Sequence, residues 1–177
     1  MSETWKFIAR LESLTQGERA QLRCLNGQGL DQSVISFDLF TGVWWPLRNE
    51  SKGAPRRETA WLIARLFCSF KIPNAEDELY SLPMILGNAE PLEARQQKSY
   101  QLRFDALLQS TLLNIEPHLR WALPVVVRSV NMGRCAGLDW AKLLDELSIW
   151  DRGDEHRLKR DIQDIWAEQY LNAIRQV

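Results

Sequence analysis

The chain has 177 residues, a length that suits one domain or two small lobes and can bury a sizeable core. Its composition, 45% hydrophobic and 25% charged, excludes a disordered chain. A net charge of −1 excludes a uniformly basic surface but not a local one: residues 1–72 hold ten Lys+Arg against seven Asp+Glu, and residues 73–177 hold twelve against sixteen. Phosphate is attracted by the field of a patch, not by the sum.

The N-terminal run "MSETWKFIARLESL" carries acids and no long apolar stretch, so no secretory signal is expected. Trp5, Ile8, Leu11 and Leu14 recur at helical spacing and predict a first helix. Thr15 and Glu18 are spaced for a capping box, which predicts a second helix with Ala20, Leu22 and Leu25 on its apolar side, stopped at Asn26 and Gly27. Asp31 is placed to cap a third helix through Ile35, Leu39 and Phe40. Gly42 to Arg57 reads as a loop from its Gly, Pro, Asn and Ser content. That loop is basic, with Arg48, Lys52, Arg56 and Arg57 against Glu50, and Trp44 and Trp45 beside it could be packed or exposed. "ETAWLIARLFCSF" is apolar nearly all round and predicts a buried helix.

Residues 73–98 have three prolines, a Gly and an acidic run, and read as an irregular linker between lobes at 1–72 and 99–177. "KSYQLRFDALLQSTL" is amphipathic through Tyr100, Phe104, Leu107 and Leu108. The next helix is predicted with Asn114 as its cap, Pro117 in its first turn, an interior Pro124 and a stop at "GRCAG". Asp139 is expected to cap a helix whose stripe is Trp140, Leu143, Leu144, Leu147 and Trp150, with Asp145 and Glu146 facing away from it. The last helix is expected from about Asp154, with Leu158, Ile162, Ile165, Trp166, Leu171 and Ile174 as its stripe. The fold class that follows is all-α, a helical bundle in two small lobes with no sheet.

Catalytic constellations are missing from this pattern. The two histidines, His118 and His156, stand alone near helix starts. Neither a zincin, a nucleophile-elbow nor a phosphate-loop motif is present. Three widely spaced cysteines argue against a disulfide framework and a zinc site, and Cys24 and Cys68 read as small core residues of a reducing cytoplasm. No cofactor, no metal and no membrane span are expected. The arginines are more suggestive: Arg23, Arg57, Arg103, Arg120 and Arg128 lie in or beside apolar helices, where they either pair with acids or present a phosphate-binding face.

Several stretches occur together in one known family. "LESLTQGERAQLRCL", "WLIARLFCSF", "YQLRFDALLQS", "HLRWAL", "GLDWAKLLDELSIW" and "IWAEQYL" resemble, in the same order and over nearly the full length, segments of the CasB-type small subunit of the type I-E CRISPR Cascade complex. The resemblance implies a non-enzymatic cytoplasmic protein that works beside the backbone and large subunits, a second copy of itself, crRNA and single-stranded target DNA. It implies a basic surface that holds the displaced non-target strand and supports the R-loop, while guide pairing reads the sequence. The nucleic-acid-binding residues it implies are Arg23, Arg57, Arg103, Arg120, Arg152 and Arg157. The family's second arginine after Arg23 is replaced by Cys24, its basic residue after "LG" by Asn88, and Trp150 is followed by Asp151. A helical protein-interaction adaptor without nucleic-acid contact is the alternative reading.

Overall fold

A computed structural model describes residues 3–25, 34–50, 55–151 and 161–175. Its helices are α1 (Glu3–Ser13), α2 (Gln16–Cys24), α3 (Val34–Glu50), α4 (Arg57–Phe70), α5 (Leu82–Asn88), α6 (Ala94–Leu108), α7 (Glu116–Asn131), α8 (Trp140–Ser148) and α9 (Ile162–Arg175). Short 3-10 turns occupy Glu78–Tyr80 and Leu112–Asn114, and no sheet is present among the described residues. The all-α expectation is therefore met. The chain forms two compact units: Met1–Asn74 with Trp140–Ser148, and Ala75–Asp139 with Ile149–Val177. Helix α8, which follows the expected lobe boundary in sequence, thus belongs to the first unit.

In the first unit the capping box is formed. The Glu18 amide donates to Thr15 Oγ1 at 3.3 Å, and the Thr15 amide donates to Glu18 Oε2 at 2.8 Å. The Thr15 hydroxyl and then its amide hold the Glu18 carboxyl below its ordinary range. Phe7, Ile8, Leu11, Leu22, Phe40, Ile63, Leu66 and Trp140 fill the core. Phe40 joins three elements, edge-on to Trp61 at 5.3 Å and to Phe7 at 6.4 Å, and stacked on Trp44 at 6.2 Å.

The expected loop from Gly42 is instead the second half of α3. Burial overrides the local breakers: Phe40, Val43, Trp44 and Leu47 recur at helical spacing and are all buried. Pro46 sits inside this helix. Proline has no N–H to give the carbonyl of residue 42, and residue 42 is an exposed glycine, which leaves room for the ring. Trp44 is a core residue whose indole N–H donates to Pro55 O at 2.9 Å, whereas Trp45 is about half exposed. Cys24 is exposed, not packed, because its position points away from Leu22, two residues earlier on the same helix. On α8, Glu146 is buried, three residues after Leu143 and on its stripe, while Asp145 is exposed and accepts from the Thr4 hydroxyl at 3.1 Å. The α8 amide at Trp140 donates to Asn74 Oδ1, and the Trp140 indole to Ile72 O. Asp31 lies outside the described residues.

The second unit is built around α5, which falls within the expected linker. Leu82, Ile85 and Leu86 are buried, and Gly87 gives α9 its closest approach. A Cβ at Gly87 would lie 2.6 Å from the Tyr170 carbonyl and 2.7 Å from the Ala173 Cβ. The buried stripe of α9 is Ile162, Trp166, Tyr170 and Ala173, and Leu171 is half exposed. Trp150 is in this unit, past the end of α8, anchored by its indole N–H on Ser110 O at 2.8 Å and edge-on to Trp166 at 4.8 Å. Helix α7 begins after Ile115, so Asn114 ends the preceding 3-10 turn and does not cap it; Pro117 and Pro124 lie in the first turn and the interior, as expected.

Candidate functional site

The α7 helix carries Arg120, Trp121, Pro124 and Arg128, and Met132 at its C-terminal cap, to the lining of one groove of about 950 Å³ in the second unit. Arg120 and Arg128 are eight residues apart, or about 12 Å along the helix axis. Arg103 of α6 lines the same groove. Arg134 joins them through the way α7 stops. Gly133 adopts a left-handed φ of 69°, its amide donates to Val130 O, and the Arg134 amide donates to Ser129 O, both at 2.9 Å. This is a Schellman ending, and it turns the chain so that Arg134 borders the groove.

The groove holds four arginines against two glutamates, Glu90 and Glu93. Arg120 is engaged: its Nε and Nη2 both donate to Glu116 Oε1, at 3.0 and 2.9 Å. Arg103, Arg128 and Arg134 are exposed and make no side-chain ion pair or hydrogen bond among the described residues. Glu90 does not neutralise them directly. It accepts from the Tyr170 hydroxyl, from Gln97 at 2.6 Å and from Gln101 at 2.8 Å. Burial, followed by the hydrogen bond and charge of Glu90, raises the Tyr170 phenol far above its ordinary range. Burial and then the Glu90 charge act the same way on Tyr100, whose hydroxyl donates to Leu86 O at 2.8 Å. Both phenols supply packing and hydrogen bonds to the scaffold under the groove.

Arg23 belongs to a separate cleft of about 550 Å³ in the first unit, with Arg19, Lys71, Glu12 and Cys68 among its lining. Arg23 and Lys71 are exposed. Burial pushes the Cys68 thiol up to about 11, against the pull of Arg19 and Arg23, so it is a packed thiol rather than a nucleophile. Arg57 is exposed at the start of α4 and lies 3.4 Å from Glu58. Arg152 and Arg157 lie outside the described residues, as does His156. Of the six arginines selected from sequence, the structure brings Arg103 and Arg120 together. Arg128, already singled out from sequence for its apolar helix, joins them, and the structure adds Arg134 and Trp121, which carried no such signal.

No group of three or more His, Cys, Asp and Glu side chains among the described residues is arranged to hold a metal ion. No helix among them is long and apolar enough to cross a membrane.

Comparison with known proteins places this architecture. A family profile described as CRISPR-associated protein Cse2 matches residues 18–171. Among solved structures, M. ruber CasB is similar at a TM-score of 0.72 and 20% identity, over 99% of this chain and 96% of that one. A Cse2-family CRISPR-associated protein from Thermus thermophilus is similar at a TM-score of 0.67 and 24% identity, over 97% and 99%. A structure of CasB from Thermus thermophilus is similar at 0.66 and 24%, over the same shares. A search of curated proteins gives no match. These structures share the fold, and the profile covers most of the chain. The chain therefore belongs to the CRISPR-associated Cse2 family, the CasB-type small subunits of Cascade that its sequence motifs resemble.

Proposed function

We propose that this protein is the non-enzymatic small subunit of a crRNA-guided type I-E Cascade complex, and that its groove over α6 and α7 holds the displaced non-target single strand of DNA and stabilises the R-loop in antiviral defence. The observation that carries this reading is the set of three exposed arginines, Arg103, Arg128 and Arg134, around one groove with no side-chain partner among the described residues. Guanidinium groups keep their charge and bind phosphate in a bidentate way, which suits a backbone of phosphates read without regard to sequence. Guide RNA supplies the sequence recognition. The partners are the backbone and large subunits, a second copy of this chain, crRNA and target DNA, in the cytoplasm. Arg23, with Lys71 beside its cleft, is a second phosphate contact, Arg57 a peripheral one, and Arg152 and Arg157 are two further contacts that the family resemblance implies.

The test is R-loop formation by the reconstituted complex. Reversing charge at Arg103 and Arg120 is expected to reduce R-loop yield while leaving assembly of the complex intact. Unchanged R-loop formation with the doubly reversed subunit in place would sink the assignment.

A second reading is an adaptor that joins other subunits without touching nucleic acid. Two pairings favour it, Arg120 with Glu116 and Arg57 with Glu58. It predicts that the same reversal impairs assembly and leaves the R-loop yield per assembled complex unchanged.

A further inference from the structure

We infer that Trp121 is a stacking platform for a nucleobase, so that the groove takes an unpaired nucleotide and not merely a phosphate chain. This rests on the nucleic-acid reading of the groove and specifies the form of nucleic acid that it accepts. Trp121 lies among Arg103, Arg120 and Arg128 and lines the groove. It also borders the adjoining recess with Arg95 and Ser99.

Its surroundings differ from those of the core tryptophans. The indole N–H groups of Trp44, Trp140 and Trp150 each donate to a backbone carbonyl, at 2.9, 3.1 and 2.8 Å. That is what a packed indole requires. Trp121 is half-buried, and its N–H has no hydrogen-bond partner among the described residues and is not sealed from solvent. Yet its ring is backed. Tyr100 packs against it in a T-shaped contact with the ring centres 5.1 Å apart, and Tyr100 is itself buried and tied by its hydroxyl to Leu86 O. A ring braced by a buried neighbour, partly exposed in a groove and flanked by arginines matches what single-strand binders use, aromatic rings beside a cationic track. Bases inside a duplex are stacked on each other and cannot offer that face. An acidic peptide would satisfy the arginines but gain nothing specific from the indole.

The test is equilibrium binding of the full chain, at low salt, to a short oligothymidine, an abasic oligomer of equal length and a duplex. The native protein is expected to bind oligothymidine at least about fivefold more tightly than the abasic oligomer, the lower end of what one base–aromatic stack contributes. Trp121→Leu removes that difference and leaves abasic binding in place; Trp121→Phe keeps part of it. Circular dichroism checks that both variants are folded, and the Phe variant serves if the Leu variant is not. Equal binding of the two oligomers by the native protein overturns the stacking role while leaving the phosphate groove standing. Binding of neither oligomer overturns the nucleic-acid reading and the stacking role with it. Capture of an acidic peptide with the abasic and thymidine oligomers left unbound points instead to a protein partner.

Discussion

The two units place most of their arginines differently. In the first, three guanidinium groups are spent on carbonyls, while Arg23 stays exposed at its cleft. Arg10 Nη1 donates to Val43 O at 3.2 Å, Arg19 donates to Leu14 O at 3.1 Å and to Glu12 O, and Arg65 Nη1 donates to Leu25 O at 3.4 Å. Arg65 is buried, with its guanidinium 5.6 Å from the Trp61 ring centre. The contacts to Glu12, Leu14 and Leu25 satisfy acceptors at helix ends, the one to Val43 reaches the middle of α3, and each consumes the cation's hydrogen-bonding capacity. In the second unit Arg103, Arg128 and Arg134 stand around a groove with no such partner among the described residues. The comparison teaches that an arginine's place in the sequence says little until its acceptor is known. A guanidinium already facing a carbonyl is a structural staple, and one facing an open groove is available to a ligand.

The comparison breaks most visibly at Arg65. Arg65→Ala is expected to destabilise the protein by about 3 kcal/mol, because it removes packing and leaves the buried Leu25 carbonyl without that donor. Arg128→Ala is expected to stay within about 0.5 kcal/mol of the native protein, as an exposed substitution. Urea denaturation of the two variants checks this, and equal losses would erase the distinction. Next, Gly87→Ala should cost about 2 kcal/mol by forcing α5 away from the α9 backbone, which also loosens the scaffold under the groove. The same denaturation curve reads it.

Charge reversal at Arg128 and Arg134 together sharpens the other side of the contrast. Single-strand affinity should fall at least about tenfold, equivalent to about 1.4 kcal/mol, with no change in the urea midpoint. The smallest effect belongs to the first unit's capping box. Thr15→Ala should cost about 1 kcal/mol with nucleic-acid affinity unchanged. Because Glu18 is held below its usual 4.5 by Thr15, its contribution is present above that pH and is lost as the pH falls through the lowered value. The gap between native protein and variant should therefore narrow in acid, measured as midpoints across a pH series.

Much of this fold is legible in the sequence. Thr15 and Glu18 announce their helix start, Pro117 and Gly133 the limits of α7, and the stripe from Trp140 to Leu147 the helix α8. What escapes has a common physical cause, namely long-range burial overriding local signals. Pro46 and Gly42 argue for a loop, and only the packed row of Phe40, Val43, Trp44 and Leu47 keeps α3 helical. The prolines around α5 conceal a helix that exists because Gly87 lets α9 approach. Trp150 leaves its apparent stripe for a carbonyl forty residues away in sequence, at Ser110. The site is legible only in part. Arg103 and Arg120 stand in helical motifs, whereas Arg134 enters the groove through a left-handed turn, and Trp121 differs from the packed Trp44, Trp140 and Trp150 in an N–H that no sequence pattern marks.

The most direct measurement is the salt dependence of oligothymidine binding by the full chain. If the second unit's arginines hold the phosphates, replacing Arg103, Arg128 and Arg134 together with alanine flattens the log–log salt slope by about 2, at roughly 0.7 for each phosphate of a single strand that is no longer neutralised. Replacing Arg10, whose guanidinium donates to Val43 O, leaves that slope as it is in the native protein. An unchanged slope in the triple variant, or an equal flattening from Arg10→Ala, would contradict the division of labour between the two units.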